Sequence, residues 1–111
     1  MYVKNSRRKI KELNRKFDEL IKTGEQYVVW GTGSYAARLI ASSHLGSLPI
    51  IAFVNRDKNT HGSTFNGIEV KPSEWLRGRI YPLIVASKVY ESEIKAILQK
   101  KLNYRGNIIS L

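Results

Sequence analysis

Between residues 10 and 21 the apolar side chains Ile10, Leu13, Phe17, Leu20 and Ile21 recur at intervals of three, four, three and one, which marks a single face of a helix. Asn5 and Ser6 are candidate N-caps for that helix, and Thr23-Gly24 is its stop, because glycine takes the left-handed cap conformation at little cost. Tyr27 to Trp30 then runs apolar without a break, the length and texture of a short buried strand. A helix over Ser34 to Ser43 and a connection over His44 to Pro49, broken at Gly46, lead to a second unbroken run, Ile50 to Val54. Strands covered on both faces in a parallel sheet read this way, with no in-and-out alternation.

Residues 55–67 are polar and carry Gly62, Gly67 and several Asn and Asp, the composition of a loop. Ile68-Glu69-Val70 predicts a brief strand, and Pro72 to Leu76 a short helix with proline in its first turn. Tyr81 to Ala86 is the next buried strand. A helix over Glu91 to Leu102 places Ile94, Ile97, Leu98 and Leu102 on one face, with acids in its first turn and Lys100 and Lys101 in its last. Gly106 precedes a final strand over residues 107–111. Strands alternating with helices predict an α/β fold: a small doubly wound Rossmann-like parallel sheet flanked by helices, with an N-terminal basic amphipathic helix. The expected division is residues 1–24 for that helix and 25–111 for one globular unit.

Composition narrows the chemistry. The chain has 111 residues, enough for one core, and no cysteine, which removes disulfides, thiolate metal sites and cysteine nucleophiles. No apolar run approaches the roughly 20 residues that span a bilayer, and the charged N-terminus lacks the apolar core of a signal peptide, so the expected location is cytoplasmic. The net charge is +10. Residues 1–23 hold eight Lys/Arg against three Asp/Glu, a net +5, and residues 24–111 carry the same +5 over a much longer stretch. A basic surface attracts phosphates, nucleic acids, acidic lipids or an acidic partner domain.

The strand Tyr27–Trp30, the turn Gly31-Thr32-Gly33-Ser34-Tyr35 and the following helix form the phosphate-cradling turn of a dinucleotide-binding fold, with Ala36 where a third glycine often sits. Gly31 permits the sharp exit from the strand, and Gly33 leaves room for a pyrophosphate beside the backbone. The first amides of the helix face the anion, and Thr32 or Ser34 can add a hydroxyl. A glycine turn without a ligand is the alternative. No Gly-Lys-Ser/Thr follows, which disfavours NTP hydrolysis. Past the second strand, where an acid commonly meets the adenine ribose, stand Asn55 and Arg56. Asn55 can bond a hydroxyl without a carboxylate's charge, and Arg56 either favours a phosphorylated ribose or points to solvent. Ser87-Lys88 follows another strand end, where Ser87 either reaches the ligand or caps the next helix.

Taken together, WGTGSYAARLI, FVNRDKNTHGSTFNGIEV and PLIVASKVYESEI resemble a Rossmann-like domain of polysaccharide-biosynthesis proteins of the sugar-nucleotide epimerase/dehydratase type, where it precedes the catalytic domain. A similar module is appended to sugar methyltransferases. Gly31 and Gly33 match the family's turn, Gly62, Gly67, Ile68 and Val70 its third block, and Ala86 and Ser87 its Ala-Ser strand end. Asn55 stands where aspartate is usual. The resemblance implies an accessory domain binding a nucleotide or nucleotide-sugar, with NAD(P) or a sugar nucleotide as cofactor candidates. A catalytic domain or a second copy of the chain is the implied partner.

Catalytic residues do not emerge. His44 and His61 lack metal-ligand spacing and read as surface groups, no Tyr-x-x-x-Lys pair occurs, and Ser34 follows the second glycine rather than forming a nucleophile elbow. Whether the chain is part of an enzyme, as a piece of a sugar-nucleotide oxidoreductase or sugar methyltransferase, or a ligand-free assembly module, stays open. The basic residues Arg7, Arg8, Lys9, Lys11, Arg15, Lys16 and Lys22 of the first helix suit nucleic acid or a membrane surface; the favoured reading is that the apolar stripe packs inward and the cations solvate the far face. Trp30 and Trp75 are expected in the core.

Overall fold

The computed structural model describes residues 2–87 and 90–111, with side chains from Arg8 onward; Lys88, a sequence-level contact candidate, and Val89 lie outside the described residues. Helix α1 (Tyr2–Lys22) includes Asn5 and Ser6 rather than starting at them. It ends as expected for glycine, with Gly24 at φ 73°. Strand β1 (Tyr27–Trp30) is followed by helix α2 (Ser34–Ser42) and a 3-10 turn, His44–Ser47. Strand β2 spans Ile50–Val54.

The stretch read as loop holds more structure than its composition suggests. A 3-10 turn over Lys58–Thr60 leads to strand β3 (Thr64–Phe65), which pairs antiparallel with β4 (Ile68–Lys71). The two are joined by Asn66 at φ 52° and Gly67 at φ 77°. Asn-Gly with both residues at positive φ is the two-residue turn whose twist matches that of a hairpin. The sheet is therefore mixed rather than wholly parallel. Phe65 sits edge-on to Phe53 at 4.9 Å between ring centroids, which ties the hairpin to the core.

A 3-10 turn (Ser73–Leu76) connects β4 to strand β5 (Leu83–Val85), which is shorter than expected. Pro82 has no N–H for the ladder and contributes only its carbonyl, which accepts from Val28 N at 3.1 Å. Helix α3 (Glu91–Ala96) passes into a π-helical turn over Ile97–Lys101 instead of continuing regularly to Leu102, and strand β6 is Ile108–Ser110.

Among the described residues the six strands form one sheet in the order β3-β4-β2-β1-β5-β6, parallel except for β3. The unbroken apolar runs divide by alternation between its two faces. Tyr27, Val29, Phe53 and Ile84 join Leu13, Phe17, Leu39 and Leu45 on the face covered by α1, α2 and the turn after it. Val28, Trp30, Val54, Leu83 and Val85 join Leu76, Ile94, Leu98 and Leu102 on the other. A radius of gyration of 13.7 Å is that of one compact unit of this length. No helix among the described residues is long and apolar enough to cross a membrane.

Ile10, Leu13, Phe17 and Leu20 of the α1 stripe therefore pack inward, whereas Ile21, at the end of the helix, is exposed, as are Arg8, Lys11, Arg15, Lys16 and Lys22. Of the two tryptophans, Trp30 is buried but Trp75 is half-exposed, with the Arg79 guanidinium 4.1 Å from its ring and Tyr81 stacked at 6.4 Å.

Candidate functional site

A crevice of about 810 Å³ opens across the carboxyl ends of β1, β2 and β5. All eight residues nominated from sequence line it: Gly31, Thr32, Gly33, Ser34, Tyr35, Asn55, Arg56 and Ser87. They come from three strand ends far apart in the chain, brought together because β1 lies between β2 and β5.

The two glycines of the turn meet different demands. Gly31 has φ 131°, and a Cβ there would lie 2.7 Å from the carbonyl oxygen of Ala86. Its N–H donates to Val54 O at 3.0 Å, so the chain leaves β1 while still bonded to β2. Gly33 is the N-cap of α2 at φ −82° and ψ −167°, a conformation open to any residue. A Cβ on Gly33 would meet no protein atom within 4 Å. The helix thus begins with no side-chain cap, and its first-turn amides, which have no acceptor inside the helix, lie at the crevice.

Asn55 fastens this turn to the loop after β2. Its Oδ1 accepts from Asp57 N at 3.1 Å, which fixes the amide orientation, and its Nδ2 donates to Thr32 Oγ1. Because Thr32 Oγ1 accepts there, its own proton is available to donate. An aspartate at position 55 would take that proton instead. Arg56 is exposed and lies 3.4 Å from Glu93, a weak contact between two solvated groups. Ser87 Oγ accepts from Tyr90 N at 3.3 Å, so it caps the chain entering α3 as well as lining the crevice.

Burial raises the Tyr35 hydroxyl above its ordinary pKa, an effect that Arg38 opposes and Glu91 reinforces. Arg38 and Tyr90 also line the crevice and were not singled out from sequence. Arg38 was legible in principle, one helical turn beyond Ser34 and so on the same face of α2. Tyr90 carries no such signal, since only the fold brings it opposite the glycine turn.

The histidines serve structure. His44 Nδ1 donates to the Asp18 carboxylate at 2.8 Å and its backbone N–H to Asn14 Oδ1 at 2.7 Å, clamping the turn after α2 to α1. His61 Nε2 donates to Asn55 O at 2.7 Å. Among the described residues no group of three or more His, Asp or Glu is placed to hold a metal ion.

Residues 23–109 fit the family described as C2185-like, N-terminal. No curated protein and no solved structure matches the chain.

Proposed function

The chain belongs to the C2185-like N-terminal family, and from that premise and the geometry of the crevice we propose that it is a Rossmann-like domain binding a nucleotide or nucleotide-sugar through its phosphates. Gly33 carries the reading. The protein's own packing and backbone make no demand for glycine there, and the missing side chain leaves open space at an uncapped helix start. Phosphate is the group that such a start attracts, through its amides and its dipole.

The wider setting supports the same reading. Leaving out β3, the parallel strands run third, second, first, fourth, fifth in space: one complete mononucleotide-binding half, 3-2-1, followed by the first two strands of a second. The crevice lies where that order reverses, outside the strands' carboxyl ends, the usual ligand position in open α/β sheets. In this reading the amides of α2 and the Thr32 hydroxyl hold phosphate, while Asn55 and Arg56 face the ribose end. NAD(P) and sugar nucleotides are the ligand candidates. The domain acts as a cytoplasmic accessory to sugar-modifying chemistry located on another domain or partner, as the sequence resemblance implies.

The test is a thermal-shift screen of the whole chain against ADP, NAD+, NADP+ and UDP-glucose, with Gly33→Asp as control. A ligand at about 100 times its Kd adds about 2.7 kcal/mol and raises the melting temperature by several degrees. In Gly33→Asp the carboxylate caps α2 and repels phosphate, so the fold persists and the rise disappears. No rise with any of the four ligands, or an equal rise in Gly33→Asp, would overturn the proposal.

A further inference from the structure

A second, smaller pocket of about 230 Å³ adjoins the crevice, and Arg56 lines both. Its walls come from three separate elements: Lys58 after β2, Arg77 after the 3-10 turn that follows β4, and Lys101 at the end of the π-helical turn. With Arg56 these make four cationic side chains against one acid, Glu74. Among the described residues Lys58, Arg77 and Lys101 form no salt bridge. Like charges brought together around one concavity repel, and an anion placed between them relieves that repulsion. The π-helical turn supplies Ile97 and Lys101 to the wall, and irregular turns of this kind are frequent at functional sites. His61 is also present, held by its bond to Asn55 O, so the pocket is joined to the residue that staples the glycine turn.

We infer that this pocket binds a second phosphate group of the same ligand, so that the ligand class is a nucleotide carrying a phosphomonoester apart from the phosphate at the glycine turn. The inference rests on the nucleotide reading of the crevice. It adds Lys58, Arg77 and Lys101 as specificity-determining residues, with Arg56 as the shared wall. The volume is below the roughly 300–1,000 Å³ of sites for whole drug-sized ligands and suits a substituent rather than a complete molecule.

Amide spectra of the full chain titrated with inorganic phosphate separate the two sites. Two groups of signals are expected to move, one around Gly33 and Ser34 and one around Lys58, Arg77 and Lys101, each with its own saturation. Gly33→Asp removes the first group only, and the double variant Lys58→Gln/Arg77→Gln removes the second only. In calorimetry, adenosine 2′,5′-bisphosphate or adenosine 3′,5′-bisphosphate should bind about tenfold or more tightly than AMP, because a charge-assisted contact is worth that factor. The double variant should lose that advantage and keep the AMP affinity. A missing second group of signals, or bisphosphates no tighter than AMP, would overturn this inference and leave the crevice reading standing. Failure of the Gly33 group and of AMP binding would remove both.

Discussion

At Gly31 a methyl group would lie 2.7 Å from the Ala86 carbonyl, and the backbone angle of 131° is one that side chains rarely adopt. Gly31→Ala should therefore destabilise the fold by about 1–3 kcal/mol, visible as a lower urea midpoint. Gly33→Ser should do the reverse, because a serine N-cap exceeds glycine by a few tenths of a kcal/mol. Asn55 makes a chemical prediction beside these conformational ones. Asn55→Asp turns Thr32 from a donor toward the crevice into a donor to the carboxylate and adds a negative charge, so nucleotide affinity should fall about tenfold while stability changes little. Unchanged affinity would mean that Asn55 and Thr32 do not face the ligand. A separate residue effect concerns pH. Burial pushes the Tyr104 hydroxyl, which donates to Tyr81 O, up to about 12. The unfolded chain then ionises first, so this contribution is complete below about pH 10 and is lost as pH rises toward 12. Tyr104→Phe should flatten the alkaline limb of the stability profile, and an unaltered limb would assign it to other groups.

At the scale of elements, what was legible depended on how local the signal was. The runs Tyr27–Trp30 and Ile50–Val54 announced buried strands, and the glycine turn between β1 and α2 announced its own geometry, because each is set by neighbours in sequence. The hairpin is equally local, yet only its second strand reads from the sequence. Asn66-Gly67 is a strong turn signal and Ile68–Val70 reads as a strand, but β3, at two residues, is too short for alternation to register beside it. Gly67→Ala should cost about 1 kcal/mol through its positive φ and loosen β3, measurable as faster amide exchange at Thr64 and Phe65. The π-helical turn was not legible at all. Ile94, Ile97, Leu98 and Leu102 fit a regular helix, and the wider turn shows only where Leu102 N reaches back five residues to Ile97 O. Lys101, at the end of that turn, lines the second pocket, and neither Lys101 nor Arg77 carries a local mark of belonging to a site with Arg56.

For the molecule as a whole, α1 poses the main question, since it precedes the stretch matched to the family and yet completes the core. Charge density set it apart from the rest of the chain; burial does not. Leu13 and Phe17 are buried in the same cluster as Tyr27, Leu39 and Leu45. Around them, polar ties hold the helix at several points: Lys16 Nζ donates to Ser110 O at 3.0 Å at the far sheet edge, and Tyr27 OH donates to Leu20 O at 3.0 Å where α1 enters β1. An attached tail would need none of these. If α1 is a structural layer, Phe17→Ala opens a cavity the sheet cannot close and costs about 3–5 kcal/mol, a large part of the 5–15 kcal/mol that stabilises a typical domain. Ile21, 37% exposed on the same helix, should cost under about 1 kcal/mol when replaced by alanine. Urea unfolding of both variants, read at constant m-value, gives the comparison directly. A Phe17→Ala loss as small as that of Ile21→Ala would make α1 a detachable cover, with residues 23–109 carrying the stability themselves.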